Sequence, residues 1–519
     1  ENINQLLHYN TNYICLREQQ KKSTRVNNIY HQKHMTQKNE NSNPTCRPPT
    51  GTTYLTIGQD LFSINEYVAS QYNASLHAGS LAPLSSFTPS ALMVYTDLRT
   101  LRGLDKPTDY GSGVEYANGL TDNLFANQGV GLQIGLWLDG AAGCDEINSG
   151  LKDNQIQKLV HYLNNCNATQ IFLRIGYEFD NPQFGYSSNP SSYIEAYQRI
   201  VDAIRSSSSS SMDNIQFVWH SWAAPRASKD LTLNNFYPGD EYVDWIGISI
   251  FQQVYPWSRW EAGTMNDIDE VMQFASARGK PTMIAESTPF GGIDMDTYET
   301  KTYHETDPWN RWFGKVLDII DKYDVSMWCY INCDWDAQPM WHGVGFGETR
   351  ISSNDNVMRK WQKHVITNEH GHSSNSDDGK KHSHRSFLMA GSLQDCGQSR
   401  NGSIKKNSNS ENSTSVSLLA TGEEDLDMTL LESNNKQLYF VEAPLHQSST
   451  KALMAGGALL FVTFFSLVFL RRRSTMHNVP SNNTNKAYVP FYSLSYRSCA
   501  NIDEEHPKTP NETNPLLNH

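Results

Sequence analysis

Eight short runs of β-forming, mostly apolar residues recur between positions 50 and 366, with helix-length segments between them. The runs are Tyr54–Gly58, Ala91–Asp97, Gly131–Asp139, Gln170–Phe179, Ile215–His220, Val243–Phe251, Pro281–Glu286 and Val325–Asp334. Their starts are spaced by 37, 40, 39, 45, 28, 38 and 44 residues. Runs that are apolar throughout are buried on both faces. With helical segments such as Tyr193–Arg205 and Asn310–Lys322 between them, they call for parallel strands joined by right-handed crossovers. Eight such units predict a closed (β/α)8 barrel, a TIM barrel. An open doubly wound sheet is the alternative, and no Gly-rich phosphate loop follows the first run to support it.

The rest of the chain divides by composition. Residues 1–49 are rich in Asn, Gln, Lys and Thr without an apolar period, and are expected to be disordered. Residues 367–451 are rich in Ser, Asn, His and acids and read as a low-complexity stalk; the His cluster within 370–384 reads as solvated linker rather than a metal site. All twelve tryptophans lie between Trp137 and Trp361, inside the barrel segment. Residues 452–470 form an uncharged apolar stretch followed by Arg471, Arg472 and Arg473. At about 1.5 Å per residue this spans about 28 Å, so a single transmembrane helix with its basic flank in the cytosol is expected. That makes the chain a single-pass type I membrane protein, with the barrel extracellular or in the lumen of an endosomal or lysosomal compartment and a cytoplasmic tail over 471–519. In the tail, Tyr488-Val489-Pro490-Phe491 and Glu512–Leu517 resemble sorting signals, so sorting adaptors are expected partners. Acceptor sequons at Asn73, Asn167, Asn401 and Asn412 fit a glycoprotein on that route. The chain opens on Glu1, so no signal peptide can be read from it.

In a (β/α)8 barrel, polar residues at the C-terminal ends of strands face the active site. The fourth run ends Arg174-Ile175-Gly176-Tyr177-Glu178, and the seventh ends Ile284-Ala285-Glu286. Two carboxylates placed there can face one another across the mouth, as glycoside cleavage with retention requires. The structural reading of either Glu alone is a strand-end ion pair with Arg174 or a neighbour. With 42 Lys plus Arg against 55 Asp plus Glu, a net charge of −13, nucleic acid is not an expected partner. No residue spacing suggests a metal site, and no cofactor is expected. Of the eight cysteines, the pairing of Cys144 with Cys166 stays open. Cys329 and Cys333, four residues apart on a strand, stand about 13 Å apart, too far to bond.

The stretch Phe236-Tyr237-Pro238-Gly239-Asp240 to Asp244-Trp245-Ile246-Gly247 resembles glycoside hydrolase family 26, the family of many endo-β-1,4-mannanases. Gly58-Gln59-Asp60 and Lys280–Glu286 add to the resemblance, which covers roughly residues 50–366. It implies a retaining hydrolase, endo-acting on a β-linked polysaccharide such as mannan. Glu178 would be the acid/base and Glu286 the nucleophile, with the pKa of Glu178 raised by burial and by the charge of Glu286. Tyr177 stands where the family has His. Phe251 stands where a Tyr able to reach the nucleophile is expected. These departures leave a catalytically inactive, glycan-binding barrel as the alternative. Arg174, Tyr177, Asp139, Trp137, His220, Gln252, Trp328 and Trp335 are the expected substrate-binding residues. Trp328 or Trp335 is expected to wall the catalytic subsite, and Trp219, Trp222, Trp257, Trp260 and Trp341 are further aromatic candidates.

Overall fold

The computed structural model describes residues 46–79, 82–207, 214–367, 385–394 and 396. The apolar stretch 452–470, the tail signals, Asn401, Asn412 and the His cluster lie outside these residues. Among the described residues no helix is long and apolar enough to cross a membrane. Asn73 and Asn167 are both exposed.

Eight parallel strands close on themselves: β1 (Thr52–Gly58), β2 (Ala91–Asp97), β3 (Gly131–Trp137), β4 (Ile171–Ile175), β5 (Ile215–Ser221), β6 (Trp245–Ile250), β7 (Thr282–Ser287) and β8 (Met327–Ile331). Each pairs with the next, and β8 returns to β1 with Tyr54 opposite Met327 and Gly58 opposite Ile331. The barrel expected from the eight runs is what the chain forms. The α-helices are α1 (Leu61–His77), α2 (Gly140–Asn148), α3 (Asp153–Asn165), α4 (Pro190–Arg205), α5 (Met265–Ala277), α6 (Tyr298–Thr302), α7 (Gly314–Tyr323) and α8 (Asp355–Trp361); β2 and β5 are followed instead by short helical turns at Gly119–Leu124 and Leu233–Asn235. Local chemistry starts them. The Asp60 carboxylate accepts from the backbone N–H of Phe62 and Ser63 at the head of α1. Asn189 caps α4, whose first residue is Pro190. One face of α4 (Tyr193, Ala196, Tyr197, Ile200, Val201, Ile204) is buried, the spacing that covers a sheet with a helix.

Strand alternation splits the core in two. Leu55, Ile57, Leu132, Ile134, Leu173, Ile175, Ile246, Ile248, Trp328 and Tyr330 point outward and pack with the helices. Tyr54, Phe172, Val218, Trp245, Met283 and Met327 fill the inside of the cylinder. Above them come Met93, Cys329 and Ile331. On β7 the alternation breaks. Ile248 pairs with Ile284, but its successor Ser249 pairs with Glu286, so a bulge leaves Ala285 unpaired. Glu286 is thereby turned to the same face as Ser249.

The stalk reading needs one correction. Residues 385–394 and 396, assigned by composition to a low-complexity linker, pack on the barrel. Ser386–Leu388 forms β9, parallel to the start of β1. Arg385 pairs with Asp321 and Asp324. Phe387 and Leu393 are buried, and Cys396 is bonded to Cys46. The short apolar strip Phe387-Leu388-Met389 supplies the contact that the average composition of its polar surroundings hides. Cys144, Cys166, Cys329 and Cys333 are free thiols, so the pairing of Cys144 with Cys166 does not form.

Candidate active site

Glu178 follows β4 through a tight turn, with Gly176 at φ +56° and Glu178 itself at φ +50°. A Cβ at Gly176 would meet the Tyr193 ring at 2.7 Å, so glycine is needed there for space as well as for conformation. For Glu178 the left-handed backbone is costly, and costs of this kind gather at functional sites. Both Glu178 and Glu286 lie at the C-terminal ends of parallel strands, and both are over nine-tenths buried.

Their surroundings differ. Glu286 is paired with the fully buried guanidinium of Arg174, which donates from Nη1 to Oε1. Arg174 is held in turn between the rings of Tyr95 (5.1 Å) and Tyr177 (5.3 Å). Gly135 on β3 makes room for it, since a Cβ there would stand 2.8 Å from Arg174 Nη2 and 2.7 Å from Tyr95. Glu178 has no cation of its own. It accepts from Ser249 Oγ (2.6 Å) and from Asn181 Nδ2 (2.9 Å). The N–H of Gln183 donates to Asn181 Oδ1 and so fixes the orientation of that amide. Burial, and then the charge of Glu286, outweigh these donors and push Glu178 up to about 8. Two residues on, burial raises Asp180 to about 6, although it accepts from Ser221 and faces Arg226.

Four of the residues expected from the sequence therefore converge: Glu178, Glu286, Arg174 and His220. Arg174 makes with Glu286 the ion pair expected of a strand-end Glu, but Arg174 and His220, also expected to bind substrate, are both fully buried and engaged by protein groups. His220 Nδ1 lies 3.2 Å from Arg174 Nη1, and Nε2 lies 3.0 Å from Ser249 Oγ. Burial, then the charge of Arg174, hold this imidazole neutral. Tyr177 is also buried, with its ring among Tyr95, Trp137 and Phe184. Trp137 is half-buried at the mouth, packed on Phe184 and Tyr186.

Trp328 is not a subsite wall. It sits on the outer face of β8, where it packs on Trp361 and Phe387 and donates to Ser287 Oγ. Strand parity decides this, because Cys329 takes the inward position. Trp335 is on the correct side but sealed beneath Phe346, stacked at 4.5 Å, and its Nε1 donates to Thr349. Half-buried Phe346 and Trp341 lie above it. Asp139 is at the exposed rim, paired with Arg99. Gln252 is half-buried just past β6, and the neighbouring Gln253 ties that loop to Phe251, Trp222 and Ser249. Trp219 is core, stacked on Phe179 at 4.1 Å, whereas Trp222 and Trp257 are half-buried and Trp260 is exposed. Phe251 gives Glu286 no hydrogen bond through its ring; Arg174 supplies the donor instead.

Ser249, Asn181 and Tyr95 are site residues that sequence reasoning missed. Ser249 had a usable signal, since it lies four residues beyond Trp245 on an alternating strand and so shares its inward face. Among the described residues no group of three or more His, Cys, Asp or Glu is placed to hold a metal ion.

The family model of glycosyl hydrolase family 26 matches residues 145–318, a stretch that contains both Glu178 and Glu286. A β-1,3-xylanase from a Vibrio species is 27% identical over 333 residues, covering 60% of this chain and 64% of that protein. A β-1,3-xylanase from an Alcaligenes species is 27% identical over 337 residues, covering 60% of this chain and 63% of that protein. The chain thus spans a little under two thirds of the length of these curated relatives. An endo-β-1,4-mannanase from Cellulomonas fimi, a solved structure, aligns at 14% identity with a TM-score of 0.38, covering 60% of this chain and 70% of that one.

Proposed function

We propose, from the premise that this chain carries a glycoside hydrolase family 26 domain, that it is a membrane-anchored retaining glycosidase, endo-acting on a β-linked polysaccharide. The observation that carries the reading is the unequal pair of buried carboxylates. Glu178 holds its proton to about pH 8, and Glu286 has a guanidinium as counter-ion. Such a division suits one acid and one nucleophile.

In the first step a Glu286 oxygen attacks the anomeric carbon. The bond to the leaving oxygen breaks, and the proton of Glu178 goes to that oxygen. The glycosyl ester removes the negative charge of Glu286, so the pKa of Glu178 falls. In the second step water attacks the anomeric carbon and gives its proton to Glu178, while Glu286 leaves as carboxylate. Trp137 and Trp341, half-buried at the mouth, are the rings best placed to meet sugar faces.

Mannan, the substrate implied by the family resemblance, and β-1,3-xylan, named for the two curated relatives, are the polysaccharides to try first. Anchoring through 452–470, a position outside the cell or in an endosomal or lysosomal lumen, and adaptor binding by the tail belong to the same proposal and rest on the sequence. The second reading, a barrel that binds glycan without cleaving it, is favoured by Tyr177 and Phe251 at the two departures from the family pattern.

The test is hydrolysis of both polysaccharides by the purified protein. Glu286→Gln should abolish turnover. Glu178→Gln should slow unactivated polysaccharide by roughly 10²–10⁴-fold and an aryl glycoside with a good leaving group much less. Unchanged turnover in Glu286→Gln would end the assignment, and binding without product from the native protein would establish the second reading.

A further inference from the structure

The two carboxylates are joined by an unbroken line of hydrogen-bonding side chains from three strands. Arg174 on β4 donates to Glu286 and also lies 3.2 Å from His220 Nδ1 on β5. His220 Nε2 lies 3.0 Å from Ser249 Oγ on β6, and Ser249 Oγ lies 2.6 Å from Glu178 Oε1. One elementary fact sets the direction of the whole line. A guanidinium has donors and no acceptor. His220 Nδ1 must therefore accept, which puts the ring hydrogen on Nε2, and that N–H donates to Ser249 Oγ. The serine hydroxyl hydrogen is then free to donate only onward, to Glu178. The interior of the barrel leaves no other arrangement for the neutral imidazole.

We propose that His220 and Ser249 are positioning residues of the acid/base. They form a one-way donor relay that links the charge state of Glu286, through Arg174, to the readiness of Glu178 to release its proton. While Glu286 is ionised, it competes with the relay for the guanidinium. Once Glu286 is esterified, that competition ends. Arg174 then polarises His220 and Ser249 more strongly towards Glu178, which favours the carboxylate needed for the second step. The relay thus adds to the loss of Glu286's own field and acts in the same direction. The other groups facing Glu178 are Glu286 across the mouth, Asn181 as its second donor, and Asp180 with Arg226 behind it. None of these contacts passes through Ser249. The inference rests on the catalytic reading above, but its geometry does not.

The test is the titration of Glu178 in the full chain, followed in two ways. One is the protonated-carboxyl infrared band, assigned by its loss in Glu178→Gln. The other is the alkaline limb of kcat/KM. Ser249→Ala removes a donor that favours the charged form, so both readouts should move up by about one pH unit. Ser249→Thr, which keeps the hydroxyl, should hold them in place, and Ser249→Cys, a weak donor, should fall between. His220→Gln offers one acceptor and one donor at similar spacing and should restore most of what His220→Phe loses. Because His220 acts through Ser249, His220→Phe should add no further shift in the Ser249→Ala background.

A Ser249→Ala protein whose infrared titration coincides with that of the native chain would overturn the proposal, as would additive shifts in the double variant. If His220→Phe fails to fold, the serine series alone decides. A shifted infrared titration in a protein that cleaves no glycan would uphold the relay and reject the glycosidase reading, so the two failures are distinguishable.

Discussion

At Glu178 a left-handed backbone, near-complete burial and a neighbouring negative charge meet in one residue. Each of the three opposes folding, and the pH dependence of the second and third can be worked out. The folded protein keeps the Glu178 proton to about pH 8, whereas an unfolded glutamic acid loses it near its ordinary value of 4.5. Between those limits the folded state binds more protons, so this residue's contribution to stability declines as pH rises. Glu178→Gln removes the titration and leaves that of Asp180 common to both proteins. The variant's gain in unfolding free energy over the native protein should therefore be small at pH 5 and grow to a few kcal/mol, on the order of 3, by pH 8. Denaturant unfolding at the two pH values checks it; a difference independent of pH would contradict the burial argument. The two glutamates were legible in the sequence because each follows an apolar run. Arg174 was legible too, as a charge inside such a run and as an ion-pair partner for a strand-end Glu. That it is fully buried, unlike an open substrate contact, follows only from the closed cylinder.

At the level of single elements, strand parity decided most of what the sequence reading missed. The eight runs were found, with their ends displaced by up to four residues, because β-branched and apolar residues between helical segments leave few alternatives. Which side of a strand a residue faces is a finer matter, since one residue of slip reverses it. Trp328, one of the two tryptophans expected at the mouth, faces the helices, and the inward position belongs to Cys329. The bulge at Ala285 turns Glu286 inward where simple alternation from Met283 would have aimed it at the helices. Trp328→Phe should accordingly lower stability by roughly 1–3 kcal/mol through lost packing and the lost bond to Ser287, with kcat/KM per folded molecule unaltered. A fall in kcat/KM at full folding would return Trp328 to the site. The segment 385–396 was missed for a different reason. Its contact with β1 is three residues long, and so short a strip does not stand out from the polar composition around it.

At the largest scale the barrel is a ring of strands, and the described segments that flank it are joined to each other. Cys46 precedes β1, Cys396 follows β9, and their bond spans 350 residues. From the sequence the barrel domain spans 50–366. The structure adds residues 46–49, 385–394 and 396 to it, and a chain cut to 46–396 should unfold as one cooperative unit with its disulfide intact. Cys396→Ser should lower its stability by about 2–5 kcal/mol, measured by denaturant titration without reductant, whereas no change would mean that the bond constrains nothing. The clasp also bears on how the protein ages under proteolysis. A single cut in any surface loop between Cys46 and Cys396, for instance near the exposed Tyr298, severs the backbone yet leaves both pieces tethered. Such a nicked molecule migrates as one band on a non-reducing gel and as two after a thiol is added, and until then Glu178 and Glu286 stay on one tethered particle.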